Sequence, residues 1–269
     1  MWRMRCALVF LGVLLGAASA HAGAWLMPKG EGLFMAQAGY FQSDDFFDSE
    51  GNSTAQPPFR KWEVQPYVEY GLTDEITVGA TTYLQEVSQS GAHNQGVADP
   101  EFFARATLWE NAHGTQRLAI QPLIKLPSVF LDGGTPRGGS RSVDAELSLL
   151  YGRNLKLLSP RDYADLRVGY RERSRGLNGQ WRVDAALGLY VTDDIQLIPA
   201  FRTILASKYD DEETFSENAE QDFDLMKAEL AVAYHLDDTH WLQLTAFDHM
   251  AGVQVGAGRG LMLGIAERF

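Results

Sequence analysis

Cysteine is almost absent: Cys6 is the only one in 269 residues. It stands ahead of the first apolar run, too early to be the acylated cysteine of a lipoprotein signal. A chain that loses it has no thiol, which excludes a disulfide-stapled scaffold and any Cys-based metal or redox site. Long hydrophobic runs are also missing. Beyond the first residues no segment reaches the roughly 20 apolar residues of a spanning helix, and the mean hydropathy of −0.19 fits no helical membrane protein. A basic excess is lacking too: 23 Lys and Arg face 35 Asp and Glu, a net charge of −12, which argues against nucleic acid as a partner. There is no G-x-S-x-G elbow. No cofactor fingerprint and no metal-ligand set stands out, and the acidic clusters lack the alternating oxygens and glycine of a calcium loop.

The first residues read as a secretory leader. Arg3 and Arg5 precede an apolar run over 7–15, then small residues and His21-Ala22-Gly23. That order predicts a cleaved signal peptide, with the cut after Ala20 or Ala22. Residues 1–22 are therefore taken as the leader and 23–269 as the mature domain, two positive charges poorer once Arg3 and Arg5 are gone.

The mature chain alternates. In the stretch from Lys61, Trp62, Val64, Val68 and Tyr70 share one face while Lys61, Glu63, Gln65 and Glu69 share the other. Similar segments of about ten residues recur roughly twelve times. They fall near 33–41, 61–70, 75–87, 102–109, 117–126, 143–151, 164–170, 181–191, 195–205, 226–236, 241–247 and 260–269. Short turns such as 71–74, 192–194 and 237–239 alternate with longer polar connections over 42–58, 88–99, 127–141 and 207–222. In nearly every segment one face is free of charge. Water can cover the charged face of a soluble sandwich, or lipid can cover the apolar face of an inverted barrel.

Two features favour the inverted reading. Aromatics gather near segment ends (Tyr40, Trp62, Tyr70, Trp109, Tyr151, Tyr170, Trp181, Tyr190, Tyr234, Trp241), as amphipathic rings do at membrane interfaces. The chain ends on LMLGIAERF, with Leu261, Leu263, Ile265 and Phe269 on one face. This resembles the terminal strand by which outer-membrane barrels are recognised, with Phe269 as the assembly signal and Glu267 a departure from its usual apolar residue. The fold expected is all-β: a transmembrane antiparallel barrel of about twelve strands, both termini in the periplasm. Pro66, Pro122 and Pro199 fall inside strands, where a closed barrel has no free edge, so broken ladders are expected there.

In that barrel the charged rows line the lumen: Lys61, Glu63, Glu69, Arg105, Arg117, Lys125, Asp144, Glu146, Asp165, Arg167, Arg171, Arg182, Asp184, Arg202, Lys227 and Glu229. Twelve strands give a bore between the filled eight-stranded and the open sixteen-stranded barrels. A narrow conduit for a small solute is one reading, and a salt-bridged plug is the other. The connection 129–141 is a candidate constriction, with Phe130 and Leu131 against the wall and Arg137 and Arg141 toward the pore. Acidic loops carrying Asp44, Asp45, Asp48 and Glu50, and Asp210, Asp211, Glu212, Glu213, Glu217 and Glu220, read as solvated runs, with divalent bridging to lipopolysaccharide as the alternative. Expected partners are outer-membrane lipid, lipopolysaccharide, the barrel assembly machinery at the C-terminal strand and an unidentified solute.

The segment YGLTDEITVGATTY (70–83), the opening Ala24, Trp25, Pro28 and Gly30, LLYGRN (149–154) and DLRVGYRER (165–173) together resemble outer-membrane barrels grouped with the meta-pathway of phenol degradation. That resemblance implies a barrel in the Gram-negative outer membrane and passive movement of small compounds, aromatic ones among them. A scaffold or secretion component is the structural alternative. A lipid hydrolase is the enzymatic one, although no motif pairs a serine with His93, His113, His235, His240 or His249.

Overall fold

The structure, a computed structural model, describes all residues except 1–22, 132–135 and 208–221. Its strands are β1 (Gly32–Phe47), β2 (Ser53–Thr73), β3 (Ile76–Gln89), β4 (Ala92–Glu110), β5 (Gln116–Lys125), β6 (Val129–Phe130), β7 (Asp144–Asn154), β8 (Tyr163–Arg173), β9 (Gln180–Tyr190), β10 (Ile195–Ala206), β11 (Asp224–His235), β12 (His240–Val253) and β13 (Val255–Arg268). All but β6 form a closed antiparallel barrel of twelve strands. Closure comes from β13 returning to β1, Leu33 opposite Arg268 and Tyr40 opposite Leu261. The last residue completes the seam, with Gly32 N–H donating to the Phe269 carbonyl at 2.7 Å and Phe269 N–H to the Gly32 carbonyl at 3.0 Å. Closure matters physically because an open sheet edge in lipid leaves backbone polar groups without partners.

The apolar rows face outward. Leu147, Leu149, Leu230, Leu244, Leu261 and Leu263 are each about half exposed or more, whereas Arg105, Lys125, Asp144 and Glu146 are buried. A residue-by-residue alternation along one strand therefore places hydrocarbon-compatible side chains on the outside. Tyr70, Trp109, Trp181 and Tyr234 stand exposed near strand ends, while Trp62, also exposed, lies midway along β2. Trp241 departs from the expected girdle: it is buried inside the barrel.

Several connections expected to be long are strand instead. β1 and β2 continue through 42–58 to a tip at 48–52, and β12 and β13 meet at Gln254. The expected loop 88–99 is a hairpin turned on Ser90 (φ 53°) and Gly91 (φ 81°), the left-handed pair that a two-residue turn requires. At 21 and 19 residues, β2 and β4 are about twice the length lipid needs. Above the membrane both faces of a strand meet water, so alternation lapses and Asp, Asn, Ser and Pro are tolerated in extended backbone. At the β1–β2 tip Asp48 accepts N–H bonds from Glu50 at 2.8 Å and Asn52 at 2.9 Å, and the Asn52 amide foremost holds its carboxyl below the ordinary range. The acidic run at 210–220 lies outside the described residues.

Each internal proline interrupts a ladder. Rungs are missing between the pairs Val64–Leu84 and Tyr67–Thr81 beside Pro66, where Thr81 Oγ1 donates to the Pro66 carbonyl at 3.0 Å. They are missing again between Phe103–Leu123 and Ala106–Ile120 beside Pro122. The widest gap lies beside Pro199, between Leu197–Leu189 and Leu205–Trp181.

Candidate functional site: the barrel lumen

From the outer mouth inward the lumen has four layers. The first is the connection after β5. Phe130 packs on Val87 and Ala98 with Phe59 and Tyr83 beside it, and the Arg137 guanidinium lies 5.9 Å above its ring. Residues 136–142 return through the barrel mouth. A Cβ on Gly138 would meet Gln85 and one on Gly139 would meet Ser128 and Ala98, so only glycines allow that approach. Lys125 ties the segment down, its Nζ 2.7 Å from Ser140 Oγ, 3.3 Å from Ser142 Oγ, 3.2 Å from Asp99 and 2.9 Å from Asp144. Asp99 accepts the Ser140 N–H at 3.1 Å, and Ser128 N–H donates to the Ser140 carbonyl at 2.7 Å. Leu131 departs from its expected place: it points out, 76% exposed. Pairing of Val129 and Phe130 with Val97 and Gly96 continues the pleat, which turns alternate residues outward. Arg141 is half-buried and does not line the cavity below.

The second layer is a cavity of about 520 Å³. Nine of the sixteen expected residues line it: Lys61, Glu63, Arg167, Arg171, Arg182, Asp184, Arg202, Lys227 and Glu229. The two walls differ. On the β8–β11 side four arginines and Lys227 outnumber Asp184 and Glu229, whereas β1–β4 contribute the rings of Phe41, Phe59, Tyr67, Tyr83 and Phe103. Arg171 bridges the walls, bonding Glu101 of β4 at 2.7 Å and Glu146 at 2.7 Å. Arg202 and Lys227 share Glu229 at 3.0 and 2.6 Å, and Asp184 lies 3.5 Å from Arg167 and 3.7 Å from Arg202. Arg182 is the least engaged. Its nearest groups are Gln180 at 3.4 Å and Glu146 at 3.8 Å, and its Nε has no hydrogen-bond partner.

The other seven expected residues are inside the barrel but off the cavity. Lys125 and Asp144 anchor the loop. Glu146 lies behind the arginines, buried, accepting from Ser148 at 2.6 Å and from Arg167. Glu69, Arg105, Arg117 and Asp165 serve the inner end. Arg105 Nη2 bonds Glu69 at 2.8 Å, its Nε bonds Gln121 at 2.9 Å and its Nη1 bonds the Trp25 carbonyl at 2.9 Å. Arg117 lies 5.4 Å from the Trp25 ring and pairs with Glu110 at 2.7 Å. Charge on an inward row thus marks the interior, not the water path.

The third layer is largely apolar, with Gln243 buried at the same level opposite Ala233. Leu33, Met35, Tyr67, Phe103, Leu123, Ile198 and Trp241, with small alanines, form a packed cluster, and Met27 and Tyr163 lie against it. These residues occupy the same inward rows as the charges, a few residues nearer the periplasmic end. The fourth layer is the segment before β1. Ala24 and Leu26 pack on Ala119 and Leu150, Ala24 N–H donates to Asp165 at 3.3 Å, and Met27 N–H donates to Thr77 Oγ1 at 2.8 Å. Gly71 permits its passage, since a Cβ there would sit 2.0 Å from the Pro28 carbonyl.

Asp99, Glu101, the five rings and His249, whose Nδ1 lies 2.7 Å from the Gly256 carbonyl, line the cavity beyond the expected set. Glu101 is legible in the sequence, being on the charged row opposite Phe102. Asp99 falls in a stretch that reads as loop. His240 sits in the β11–β12 turn against Asp237 at 3.0 Å.

No family model matches the chain, and no curated protein matches it. Solved structures do. The crystal structure of an outer membrane channel from Pseudomonas putida F1 superposes with a TM-score of 0.75 at 14% identity, over 94% of this chain and 100% of that one. The NanC porin gives 0.54 at 7% identity over 87% and 98% of the two chains, and the KdgM porin, in complex with disordered oligogalacturonate, 0.51 at 8% over 87% and 99%. All three are channels or porins. At such identities the likeness is one of fold, and the fold of this chain is that of a Gram-negative outer-membrane β-barrel.

Proposed function

We propose that the barrel is a passive outer-membrane channel for small solutes, favouring those that join a negative group to an apolar or ring-bearing body. The observation carrying this reading is the division of the cavity: arginines and Lys227 on the β8–β11 wall, five aromatic rings on the β1–β4 wall. Arginine binds carboxylate through a planar fork, and Arg182 makes only long contacts to protein groups. The apolar layer beneath disfavours bare hydrated ions and favours a solute that carries its own apolar surface. Resemblance to barrels of the meta-pathway type supports the ring-bearing half of the reading through the motifs at 70–83 and 149–154. Assembly machinery reads the terminal Phe269, exposed on the outer face, and lipopolysaccharide surrounds the outer rim.

The experiment is planar-bilayer recording with salt gradients and with benzoate, benzyl alcohol and benzylamine as test solutes. Discrete conductance that favours anions, with current noise or block from benzoate ahead of the other two, is expected. Cation preference overturns the solute class, and the absence of any conductance overturns the channel.

A second reading, a plugged scaffold or envelope component, draws on the apolar layer and the segment 23–30 beneath it. Removing residues 24–29 separates the two: a scaffold gains conductance only then, whereas a channel conducts before and conducts more after. His249 meets the Gly256 carbonyl, and His240 meets Asp237 and the Thr239 hydroxyl within an exposed turn where that hydroxyl itself donates to Asp237, so the hydrolase reading draws no support from them.

A further inference from the structure

Among the buried carboxylates of the described strands, one has no cation. Glu63 pairs with Lys61, Glu69 with Arg105, Asp144 with Lys125 and Glu146 with Arg171. Asp165, on β8 and only 6% exposed, has no such pair among the described residues. The cation whose field reaches it is Arg105, already engaged by Glu69, Gln121 and the Trp25 carbonyl. Among the described residues Asp165 holds a single hydrogen bond, from the Ala24 N–H at 3.3 Å. An ionised carboxylate in a low-dielectric interior is strongly penalised unless paired.

The space around Asp165 is kept by glycine. A Cβ on Gly152, its partner across the β7–β8 ladder, would stand 2.8 Å from Oδ1, and a Cβ on Gly23 would stand 3.1 Å from Oδ2. Gly23 therefore brings its backbone against the free oxygen with no side chain between. In the sequence, Gly23 directly follows Ala20-His21-Ala22, the small-x-small pattern that precedes a leader cleavage site.

We infer that leader removal cuts between Ala22 and Gly23, and that the new α-ammonium of Gly23 is the cation that completes Asp165. Hydrolysis of that peptide consumes one water and gives the Ala22 carboxylate and the Gly23 ammonium, so the charge the socket lacks is generated by the processing step itself. An α-amino group with an ordinary pKa of about 8 is mostly protonated at neutral pH. Docking pins the segment that closes the periplasmic end of the lumen, whatever the barrel conducts. A cut after Ala20 leaves two residues ahead of Gly23, carrying the ammonium up to roughly 7 Å of chain away.

The test uses full-length precursor expressed with its leader and purified from outer membranes. Intact mass and terminal sequencing are expected to place the first residue at Gly23, and a chain beginning at His21 overturns the inference. Reductive methylation followed by peptide mapping then compares the Gly23 amine with exposed Lys29. A free α-amine ordinarily reacts faster than a lysine near pH 7.5. In the folded barrel the order is expected to reverse, and in Asp165→Asn to return to normal. Equal α-amine reactivity in wild type and Asp165→Asn overturns the ion pair. If that variant fails to fold, as a missing heat-modifiable gel band reveals, the pH dependence of labelling in the wild type decides. A pair raises the amine's apparent pKa by a unit or more, slowing methylation at pH 8 by roughly tenfold relative to unfolded protein; an unshifted or lowered value overturns the proposal.

Discussion

Lys125 reaches Asp99 across the seam where β4 outruns β5, Nζ to Oδ1 3.2 Å. Asp99 takes a left-handed backbone, φ 43°, and accepts both the Lys125 ammonium and the Ser140 N–H. The pair thus joins the barrel wall to the segment that narrows the mouth. Lys125→Met keeps the length of the side chain and removes its charge. Asp144, buried, loses its closest cation, so destabilisation toward the lower end of roughly 3–5 kcal/mol is expected. The functional consequence is release of residues 136–142: faster tryptic cleavage after Arg137 and larger conductance. If trypsin sensitivity and conductance both match wild type, the loop is not held by this lysine.

Glu229 and Leu230 are adjacent in β11 and point to opposite solvents. Glu229 bonds Arg202 and Lys227 inside; Leu230 is 49% exposed to the outside. Leu230→Arg places a charge against hydrocarbon, which near the bilayer midplane costs roughly 2–4 kcal/mol. Glu229→Gln keeps a polar acceptor in a wet lumen. Assembly into the heat-modifiable form is expected to drop sharply for the first and little for the second. Equal yields would reverse the assignment of inside and outside.

The barrel is legible in the sequence because its signal is local and repeated. In 143–151 the row Val143, Ala145, Leu147, Leu149 opposes Asp144, Glu146, Ser148, and one face free of charge on strand after strand has few other solutions. The height of the barrel is not legible. Asp44, Asp45 and Ser53 look like loop because strands in water on both faces need no period. The apolar layer is hidden for a related reason: Met35, Ile198 and Ala233 lie on inward rows but resemble the residues of outward ones, and only ring closure brings β1, β10 and β11 to one level. Glu69 and Arg105, on the charged rows, are buried inside the barrel. Their use as anchors for residues 24–27 depends on a segment with no alternation at all.

Asp237, in the exposed β11–β12 turn, accepts N–H bonds from Thr239 and His240, both at 2.8 Å, and the Thr239 hydroxyl at 2.9 Å. The Thr239 amide foremost, with the His240 ring next, holds its carboxyl well below the ordinary range. A depressed folded value means the turn gains stability once pH exceeds the unfolded value of about 4, and loses it as pH falls below. Amide exchange at Thr239 and His240 is expected to quicken between pH 4 and pH 2 in wild type. Asp237→Asn retains an acceptor oxygen but cannot titrate, so its protection is expected to stay flat over that window after correction for intrinsic exchange. A matching acid step in the variant would assign the change to another group.

Arg182 is the sharpest lever on the cavity's selectivity because it can be changed with little structural loss. Its Nε has no partner and its contacts are long, whereas Arg171 holds Glu101 and Glu146 at 2.7 Å and Arg202 holds Glu229 at 3.0 Å. Arg182→Gln removes one positive charge from a lining where cations only slightly outnumber acids. The reversal potential in a salt gradient is expected to move toward the cation side, and block by benzoate to weaken by roughly tenfold, the loss of about 1.4 kcal/mol of binding from one charge-assisted contact. Arg182→Lys keeps the charge but not the planar fork, so it separates the two contributions: ion selectivity is retained while benzoate block falls. If Gln and Lys leave both quantities at wild-type values, the negative group of the solute is held elsewhere in the lumen, and the β8–β11 arginines serve only to pair with their own carboxylates.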